Sequence, residues 1–318
     1  MSSLSTSTGM ILHSGAAIQT SANRVCSDYP FHVAKLPLYG PDGIPTDLCG
    51  LFVVRDGIIC EQIADSSVSQ KYVPHTNEDV AALAEAALAV FGPDSEIRSH
   101  WNKGHFLTVK PSRKERLEIC RNDSIFPTFG ISAGYNGKSF SASLLFCRDL
   151  CTNLARIQTV MGTQVSIRHT KNLRKRMPEL VDNFAHLSQK WDEVTQVVAR
   201  LNEKTIVLNS FLDYVFPIGE DSKAGATRAN NRKGDIVRRI KLEAYKTGHN
   251  TELQDSHGNL LPDATVNAWQ GFNGVQGYLQ HETLASKRQR GNDLGQVLQT
   301  MTGVTATTLL NAEKYLIS

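Results

Sequence analysis

The chain has 318 residues, of which 41% are hydrophobic and 20% are charged, and its formal net charge is +3. This balance is typical of a globular protein, and no apolar run approaches the roughly 20 residues of a membrane-spanning helix, so we expect no membrane partner. Residues 1–150 hold 13 Lys and Arg against 15 Asp and Glu, whereas residues 151–318 hold 21 against 16. A polyanion is therefore expected to bind the second half.

The beginning of the chain predicts a tail, a hairpin and a helix. Residues 1–20 lack the charged start and long apolar core of a secretory signal, which predicts a flexible tail and a cytoplasmic protein. An Asp56-Gly57 pair between two β-branched runs predicts a hairpin. Asn77 precedes an Ala- and Leu-rich run over residues 78–91, which predicts a helix capped by that asparagine.

A second hairpin and a second helix are predicted next. Residues 126–132 and 139–146 flank the pair Asn136-Gly137, which suits a tight hairpin turn because both residues tolerate positive φ. Residues 149–160 have helical spacing and stop at Gly162, which predicts a helix.

From Pro178 onward the spacing of apolar residues becomes helical. The apolar seam spans three heptads and comprises Leu180, Phe184, Leu187, Trp191, Val194, Val198 and Leu201. A helix must bury such a seam, and we favour packing within the protein over contact with another subunit. Helices are also predicted over residues 265–281 and 293–316, after an exposed loop at 249–262.

These elements predict an α+β protein with a β-rich first part, a central strand–hairpin–helix core and a helical second part. The expected division is a flexible tail at 1–20, a β-rich α+β domain at 21–165 and a mainly helical, basic region at 166–318. That region is expected either to pack on the β-rich domain or to be continuous with it.

Three blocks carry a family resemblance. They are residues 134–137 (Gly-Tyr-Asn-Gly) followed by 148–153 (Arg-Asp-Leu-Cys-Thr-Asn), residues 168–170 (Arg-His-Thr), and residues 268–281, which begin Ala-Trp. In order and spacing they resemble the phage- and plasmid-borne family called domain of unknown function 932. The resemblance implies a protein of a mobile genetic element in the cytoplasm of a bacterial host, and it transfers no catalytic residue.

A second likeness concerns arrangement alone. The strand–hairpin–helix order over residues 106–160 resembles the core of phage single-strand annealing proteins of the Erf and RecT kind. That resemblance implies binding to single-stranded DNA, pairing of complementary strands and function as a homo-oligomer.

The second block opens a cluster of cations, which we call the 168–176 segment. Five of its nine positions are Lys or Arg and none is acidic. Cations at a helix start oppose the helix dipole, and a bound phosphate would relieve that conflict. The candidate phosphate-binding residues are Arg168, His169, Lys171, Arg174, Lys175 and Arg176. The alternative is a solvated basic face.

A second basic stretch and an aromatic residue complete the candidate nucleic-acid site. This stretch contains Arg228, Arg232, Lys233, Arg238, Arg239 and Lys241, of which Arg228, Arg232, Lys233 and Arg239 are the candidate site residues. Tyr135 at the hairpin tip is a candidate for stacking a base, at about 1–3 kcal/mol per stacked base. The alternative for Tyr135 is an exposed turn residue, and Phe140 and Trp101 are better explained as core.

Motifs for catalysis are missing from the sequence. It has no phosphate-binding loop, no nucleophile elbow and no cluster at metal-ligand spacing, so we expect neither cofactor nor metal. His169 is a candidate base, because neighbouring cations should lower its pKa and keep it neutral.

We therefore favour a non-enzymatic protein that binds nucleic acid, most of all single-stranded DNA, and promotes annealing in recombination or replication. Two alternatives stay open. One is a metal-dependent nuclease or hydrolase that uses His169, and the other is a structural or host-interaction phage protein with no nucleic-acid contact.

Overall fold

The computed structural model describes residues 29–63, 67–101, 104–110, 116–120, 123–135, 139–148, 154–217, 223–247, 252–283 and 303–318. The predicted tail lies outside these residues. Within them the protein is α+β, with antiparallel sheets mainly before the 168–176 segment and helices mainly after it.

The first sheet is built around strand β2. Its strands are β1 (His32–Tyr39), β2 (Pro45–Arg55), β3 (Ile58–Gln62) and β4 (Val68–Ser69). β2 pairs with each of the others in antiparallel fashion. Asp56 and Gly57 connect β2 to β3 with φ angles of 51° and 76°, so the first predicted hairpin is confirmed.

The second sheet is larger and has the order β10-β9-β8-β6-β5, with β11 paired to β9 and β7 to β8. Its strands are β5 (Glu96–Trp101), β6 (Gly104–Lys110), β7 (Leu117–Cys120), β8 (Asp123–Gly134), β9 (Phe140–Arg148), β10 (Leu154–Ala155) and β11 (Gln164–Ile167). β8 and β9 pair from Ile125 opposite Arg148 to Ser132 opposite Ser141, which confirms the second hairpin. Its Asn136-Gly137 turn lies outside the described residues.

The prediction of a helix over residues 149–160 is wrong for residues 154–160, which the structure describes. Leu154 and Ala155 form β10, and the chain then turns through residues 158–163. Ile157 and Val160 are buried, so the apolar spacing marks a real interior face. A short apolar run does not distinguish a helix from a strand followed by a turn. Residues 149–153 lie outside the described part.

The helices are α1 (Asn77–Phe91), α2 (Leu173–Gln189), α3 (Trp191–Glu203), α4 (Leu208–Val215), α5 (Lys223–Thr247), α6 (Ala268–His281) and α7 (Gly303–Ile317). Short strands β12 (Thr205–Val207) and β13 (Thr265–Asn267) pair before α4 and α6, so the first three residues of the helix predicted over 265–281 are extended. α1 is capped by Thr76 in a capping box with Asp79, whereas Asn77 was the expected cap.

The apolar seam packs within the protein, as expected. Its members Leu180, Leu187, Val194, Val198 and Leu201 are at most 2% exposed and belong to the main core. α2 ends at Gln189 and α3 begins at Trp191, but Lys190 between them keeps near-helical angles, so the seam continues across the break.

One main core joins the second sheet to the helices. Leu107 and Phe129 of the sheet share it with Trp269 of α6 and Leu316 of α7. A smaller core under the first sheet includes Tyr135. The boundary expected at residues 165 and 166 therefore lies within a continuous interior.

Candidate functional site

The 168–176 segment runs from the end of β11 into the first turn of α2. All five of its Lys and Arg side chains are exposed, and four of them are Arg168, Lys171, Arg174 and Lys175. None of the four forms a salt bridge with another described residue, whereas Arg176 pairs with Glu179 at 3.0 Å. The structure thus keeps four of the six candidates on the surface with their charges available.

The start of α2 has an unfavourable local charge pattern. Asn172 at the cap position makes no side-chain capping hydrogen bond, and the first turn of α2 contains no acidic residue. The nearest compensation comes from α1, where a hydrogen bond from Thr76 and then the charge of Arg174 lower the pKa of Glu78. A bound anion would complement both the cations and the helix dipole.

In the second basic stretch, on α5, two cations are already paired. Lys233 contacts Asp213 at 2.6 Å, and Arg239 contacts Glu282 at 2.7 Å. Their side chains are 13% and 23% exposed. Phosphate contacts from these two residues would require the ion pairs to open.

The other two candidate cations of α5, Arg228 and Arg232, are less enclosed. Arg228 is exposed, and the guanidinium of Arg232 lies 4.8 Å from the ring centroid of Phe216. α5 packs on α6, whereas α2 packs on α1, β9 and β11, so the two basic stretches rest on different neighbours.

His169 and Tyr135 lie inside the protein rather than on its surface. Tyr135 is 1% exposed and donates its hydroxyl proton to the backbone oxygen of His75 at 2.9 Å. His169 is 5% exposed, and its Nδ1 lies 3.1 Å from the carbonyl oxygen of Val73. Neither ring is presented to a polyanion, because tertiary packing has covered both. Phe140 is core, as expected.

Three histidines meet in this interior, and we call them the histidine cluster. His75 precedes α1, His105 lies in β6 and His169 lies between β11 and α2. The ring centroid of His75 is 5.2 Å from that of His169, 5.8 Å from that of His105 and 4.0 Å from that of Tyr135, on which it stacks. Sequence reasoning missed His75, because only the fold brings these three distant positions together.

Hydrogen-bond partners fix two of the three tautomers. The Val73 carbonyl can only accept, so His169 donates from Nδ1 and its Nε2 carries a lone pair. Asn77 donates its amide protons to two backbone carbonyls, so its oxygen accepts from Nε2 of His105, 3.0 Å away. The remaining nitrogens of both rings, and both nitrogens of His75, are buried without a hydrogen-bond partner in the described part of the chain.

Burial keeps the histidine cluster neutral. It lowers the pKa of His105 to about 4, and it also lowers the pKa of His169. The pKa of His75 falls well below 6.5, first through burial and then through repulsion from the other two rings. The pKa of His169 was expected to fall because of its cationic neighbours, and burial is the actual cause.

A cavity of about 340 Å³ adjoins the histidine cluster, and we call it the His75 cavity. His75 lines it together with Lys35, Arg174, Thr76 and Asn77. Arg174 also belongs to the 168–176 segment, so the cavity lies at the edge of the candidate nucleic-acid surface.

A larger cavity of about 490 Å³ lies elsewhere, lined by residues that include Phe91, Leu117 and Trp191. None of the described side chains that line it carries a buried polar atom without a hydrogen-bond partner. Size alone therefore favours this cavity, whereas the polar chemistry favours the His75 cavity.

A second interior polar group, which we call the Arg148 network, joins two of the family blocks. The guanidinium of Arg148 contacts both carboxylate oxygens of Asp123, at 3.0 and 2.6 Å, and one oxygen of Glu243 at 2.8 Å. Trp269 donates its indole proton to the same Asp123 at 3.2 Å. The Arg148 side chain is 2% exposed, so this network ties β8 and β9 to α5 and α6 from within.

Comparison with known protein families identifies a match over most of the chain. The model of the family described as domain of unknown function (DUF932) matches residues 64–300. Searches of curated proteins and of solved structures gave no match. Among the described residues, no helix is long and apolar enough to cross a membrane, and no three His, Cys, Asp or Glu side chains are grouped to hold a metal ion. The matched range contains the 168–176 segment, the histidine cluster and the Arg148 network.

Proposed function

We propose that this chain, which belongs to the domain of unknown function 932 (DUF932) family, binds single-stranded DNA and promotes the pairing of complementary strands without cleaving them. The observation that supports this proposal is a set of four exposed cations at the uncapped start of α2. They are Arg168, Lys171, Arg174 and Lys175.

Electrostatics is the physical basis of the proposal. Cations at the start of a helix repel one another and oppose its dipole, so folding alone gives no reason to collect them there. Phosphate groups reverse both effects and release their condensed counterions when Lys and Arg neutralise them. The binding energy would then depend steeply on salt concentration.

The preference for a single strand comes from the likeness in arrangement to phage single-strand annealing proteins. β6 and the β8–β9 hairpin carry the strand and hairpin of that likeness, whereas β10 and a turn stand at residues 154–160, where the helix was expected. Fluorescence anisotropy with labelled single-stranded DNA, its duplex and the matching single-stranded RNA, at about 50 and about 200 mM salt, tests the preference directly.

The double variant Lys171→Ala, Lys175→Ala tests the surface. Both side chains are exposed, and neither lines the His75 cavity, so Arg174 is left in place. For single strands the salt slope falls by about 0.7 per lost phosphate contact, so we expect it to decrease by about 1.4.

A matched control removes two cations that are already paired. Arg98→Ala, Lys190→Ala takes away the same charge, but these side chains contact Glu96 and Glu193. We expect the control to bind like the wild type. Failure of the wild type to bind any strand at low salt would overturn the proposal, as would equal slopes in the two double variants.

Strand pairing needs a separate measurement. Fluorescence energy transfer between two labelled complementary strands should rise faster with protein than without it. Sedimentation of the protein with and without single-stranded DNA would test the expected homo-oligomer. Binding without faster pairing would reduce the proposed function to strand binding alone.

A further inference from the structure

His75 is a buried side chain whose polar atoms are all unpaired among the described residues. It is 1% exposed, and neither of its ring nitrogens has a hydrogen-bond partner among the described residues. Burying a polar group without a partner costs about 1–3 kcal/mol, so native proteins rarely retain one. Phe would provide the same ring stacking on Tyr135 without this cost, so the nitrogens call for a partner that comes from outside the fold.

The His75 cavity places such a partner next to two cations. Lys35 donates two of its three ammonium protons to the carbonyl oxygens of Gln70 and Tyr72, at 2.6 and 2.8 Å, and the third has no acceptor among the described residues. Arg174 is exposed at the rim and forms no salt bridge with a described residue. Two positive donors and the neutral residue His75 therefore line the cavity, although both ring nitrogens of His75 are themselves buried.

The nearby acidic groups are already engaged. Asp79 accepts the backbone proton of Thr76 at 2.8 Å within the capping box. A hydrogen bond from Thr76 lowers the pKa of Glu78, which is exposed and near Arg174. These carboxylates stabilise the start of α1 and leave the ammonium of Lys35 to a ligand.

We propose that the His75 cavity binds one nucleotide. Its phosphate would contact Arg174 and Lys35, and the ring of His75 would shift toward the cavity to hydrogen-bond to a polar edge of the base or sugar. A neutral imidazole both donates and accepts, which suits the mixed donor and acceptor groups of a nucleotide. The volume of about 340 Å³ lies in the range of small-molecule sites.

The choice of a nucleotide as the ligand rests on the proposed function, whereas the cavity and its lining residues do not depend on it. A nucleotide in the cavity has two sources, namely a free mononucleotide or one unit of a bound strand. Because Arg174 belongs to both surfaces, a strand lying along the 168–176 segment passes the cavity rim. His75 belongs to the cavity alone and therefore separates the two sites in an experiment.

Isothermal titration of the four deoxynucleoside monophosphates into the full-length protein tests the cavity, with inorganic phosphate as the comparison. We expect measurable binding of at least one mononucleotide, tighter than that of phosphate. His75→Phe keeps the stacked ring and removes both nitrogens, so it should weaken mononucleotide binding at least about tenfold, the loss of about 1.4 kcal/mol. His257→Phe, in an exposed loop between α5 and α6, should change nothing.

Thermal unfolding distinguishes a lost ligand contact from a lost fold. His75→Phe should be no less stable than the wild type without ligand, while the stabilisation that the mononucleotide gives to the wild type should disappear. Lys35→Met provides a second variant and should also weaken binding. Absence of mononucleotide binding to the wild type, or equal binding by His75→Phe, would overturn the cavity proposal whatever the strand does.

Strand binding gives the second arm of the test. Loss of affinity for single-stranded DNA in His75→Phe, at unchanged salt slope, would identify the nucleotide as a unit of the strand. Unchanged strand affinity together with lost mononucleotide binding would identify a free nucleotide instead. Mononucleotide binding without any strand binding would support the cavity and overturn the proposed function.

Discussion

Two polar groups lie in the interior of this protein, and they differ in how completely their atoms are paired. In the Arg148 network the guanidinium donates hydrogen bonds to the carboxylates of Asp123 and Glu243. The Asp123 carboxylate also accepts a hydrogen bond from the indole of Trp269. In the histidine cluster four ring nitrogens have no partner among the described residues. A paired network fixes the elements around it, whereas unpaired buried atoms beside a cavity need a partner, which we propose is a bound nucleotide.

The three sequence blocks that carry the family resemblance contribute residues to both interior polar groups. Arg148 and Trp269 belong to the first and third blocks, and their network connects the large sheet to the helices. Tyr135 and His169 belong to the first and second blocks, and both contact His75 or lie next to it. The blocks therefore mark two interior centres, one that holds the fold together and one beside a cavity.

The largest effect is expected when the Arg148 network is broken. Arg148→Met removes the buried cation that contacts the carboxylates of Asp123 and Glu243, and the Asp123 side chain is 2% exposed. Removing one partner of a buried ion pair costs about 3–5 kcal/mol. Urea unfolding should show that loss in the free energy of unfolding.

The matched control for that variant is Arg98→Met. Arg98 pairs with Glu96 at 2.6 Å, but its side chain is 56% exposed, so solvent screens the pair. We expect a change below about 1 kcal/mol. Similar losses in the two variants would show that the interior network contributes no more than a surface pair.

Acid should act on the histidine cluster. The folded-state pKa of His105 is about 4, below its ordinary value of 6.5, so its stabilising contribution is complete above pH 6.5 and is lost as the pH falls toward 4. The full loss for this ring is about 3 kcal/mol. Urea unfolding at about pH 7 and about pH 4.5 should measure it, and His105→Gln should flatten the dependence. An unchanged pH slope in that variant would contradict the assignment.

Glu313 of α7 is a buried carboxylate that is only partly hydrogen-bonded, and its effect on stability has the opposite pH dependence to that of His105. One carboxylate oxygen accepts the Thr159 backbone proton at 2.9 Å, and the other is buried without a partner among the described residues. Burial raises the pKa of Glu313 from 4.5 to about 7. Its stabilising contribution is therefore complete below pH 4.5 and is lost as the pH rises through 7, by up to about 3 kcal/mol.

Glu313→Gln keeps the acceptor oxygen and cannot ionise. It should be more stable than the wild type at about pH 8 and nearly equal to it at about pH 4.5, as measured by urea unfolding at both values. Equal stabilities at the higher pH would mean that Glu313 is solvated when it ionises.

The smallest change in stability is expected for a substitution of His75, and the sign of that change shows whether the ring nitrogens already have partners. His75→Phe removes two buried polar atoms and keeps the ring, so the ligand-free protein should gain about 1 kcal/mol in the free energy of unfolding. A loss of stability would mean that the nitrogens already have partners, such as ordered water, within the fold.

Local patterns predicted the parts of the fold that local forces decide. The Asp56-Gly57 turn and the pairing of β8 with β9 follow from short stretches of sequence, and both are confirmed. The cap of α1 was misplaced by one residue, since Thr76 and Asn77 are both good caps and distant contacts choose between them. The side-chain amide of Asn77 instead donates hydrogen bonds to the backbone carbonyls of Tyr29 and Phe31.

The candidate site was predictable only where it is exposed. The charge density of residues 168–176 is visible in the sequence, and Arg174 and Lys175 lie on the surface as expected. The burial of His169 and the position of His75 depend on contacts between segments about a hundred residues apart, such as His169 with Val73. No spacing rule in a single sequence reports such contacts.

The core shared by the large sheet and α7 has a consequence for synthesis. Leu309, Ala312 and Leu316 complete the interior that Leu107 and Phe129 begin, about two hundred residues earlier. A nascent chain therefore cannot close this interior until the residues of α7 have emerged from the ribosome. Until then the surfaces of α3, α4 and α6 on which α7 packs stay open, and this period is when a chaperone would be needed.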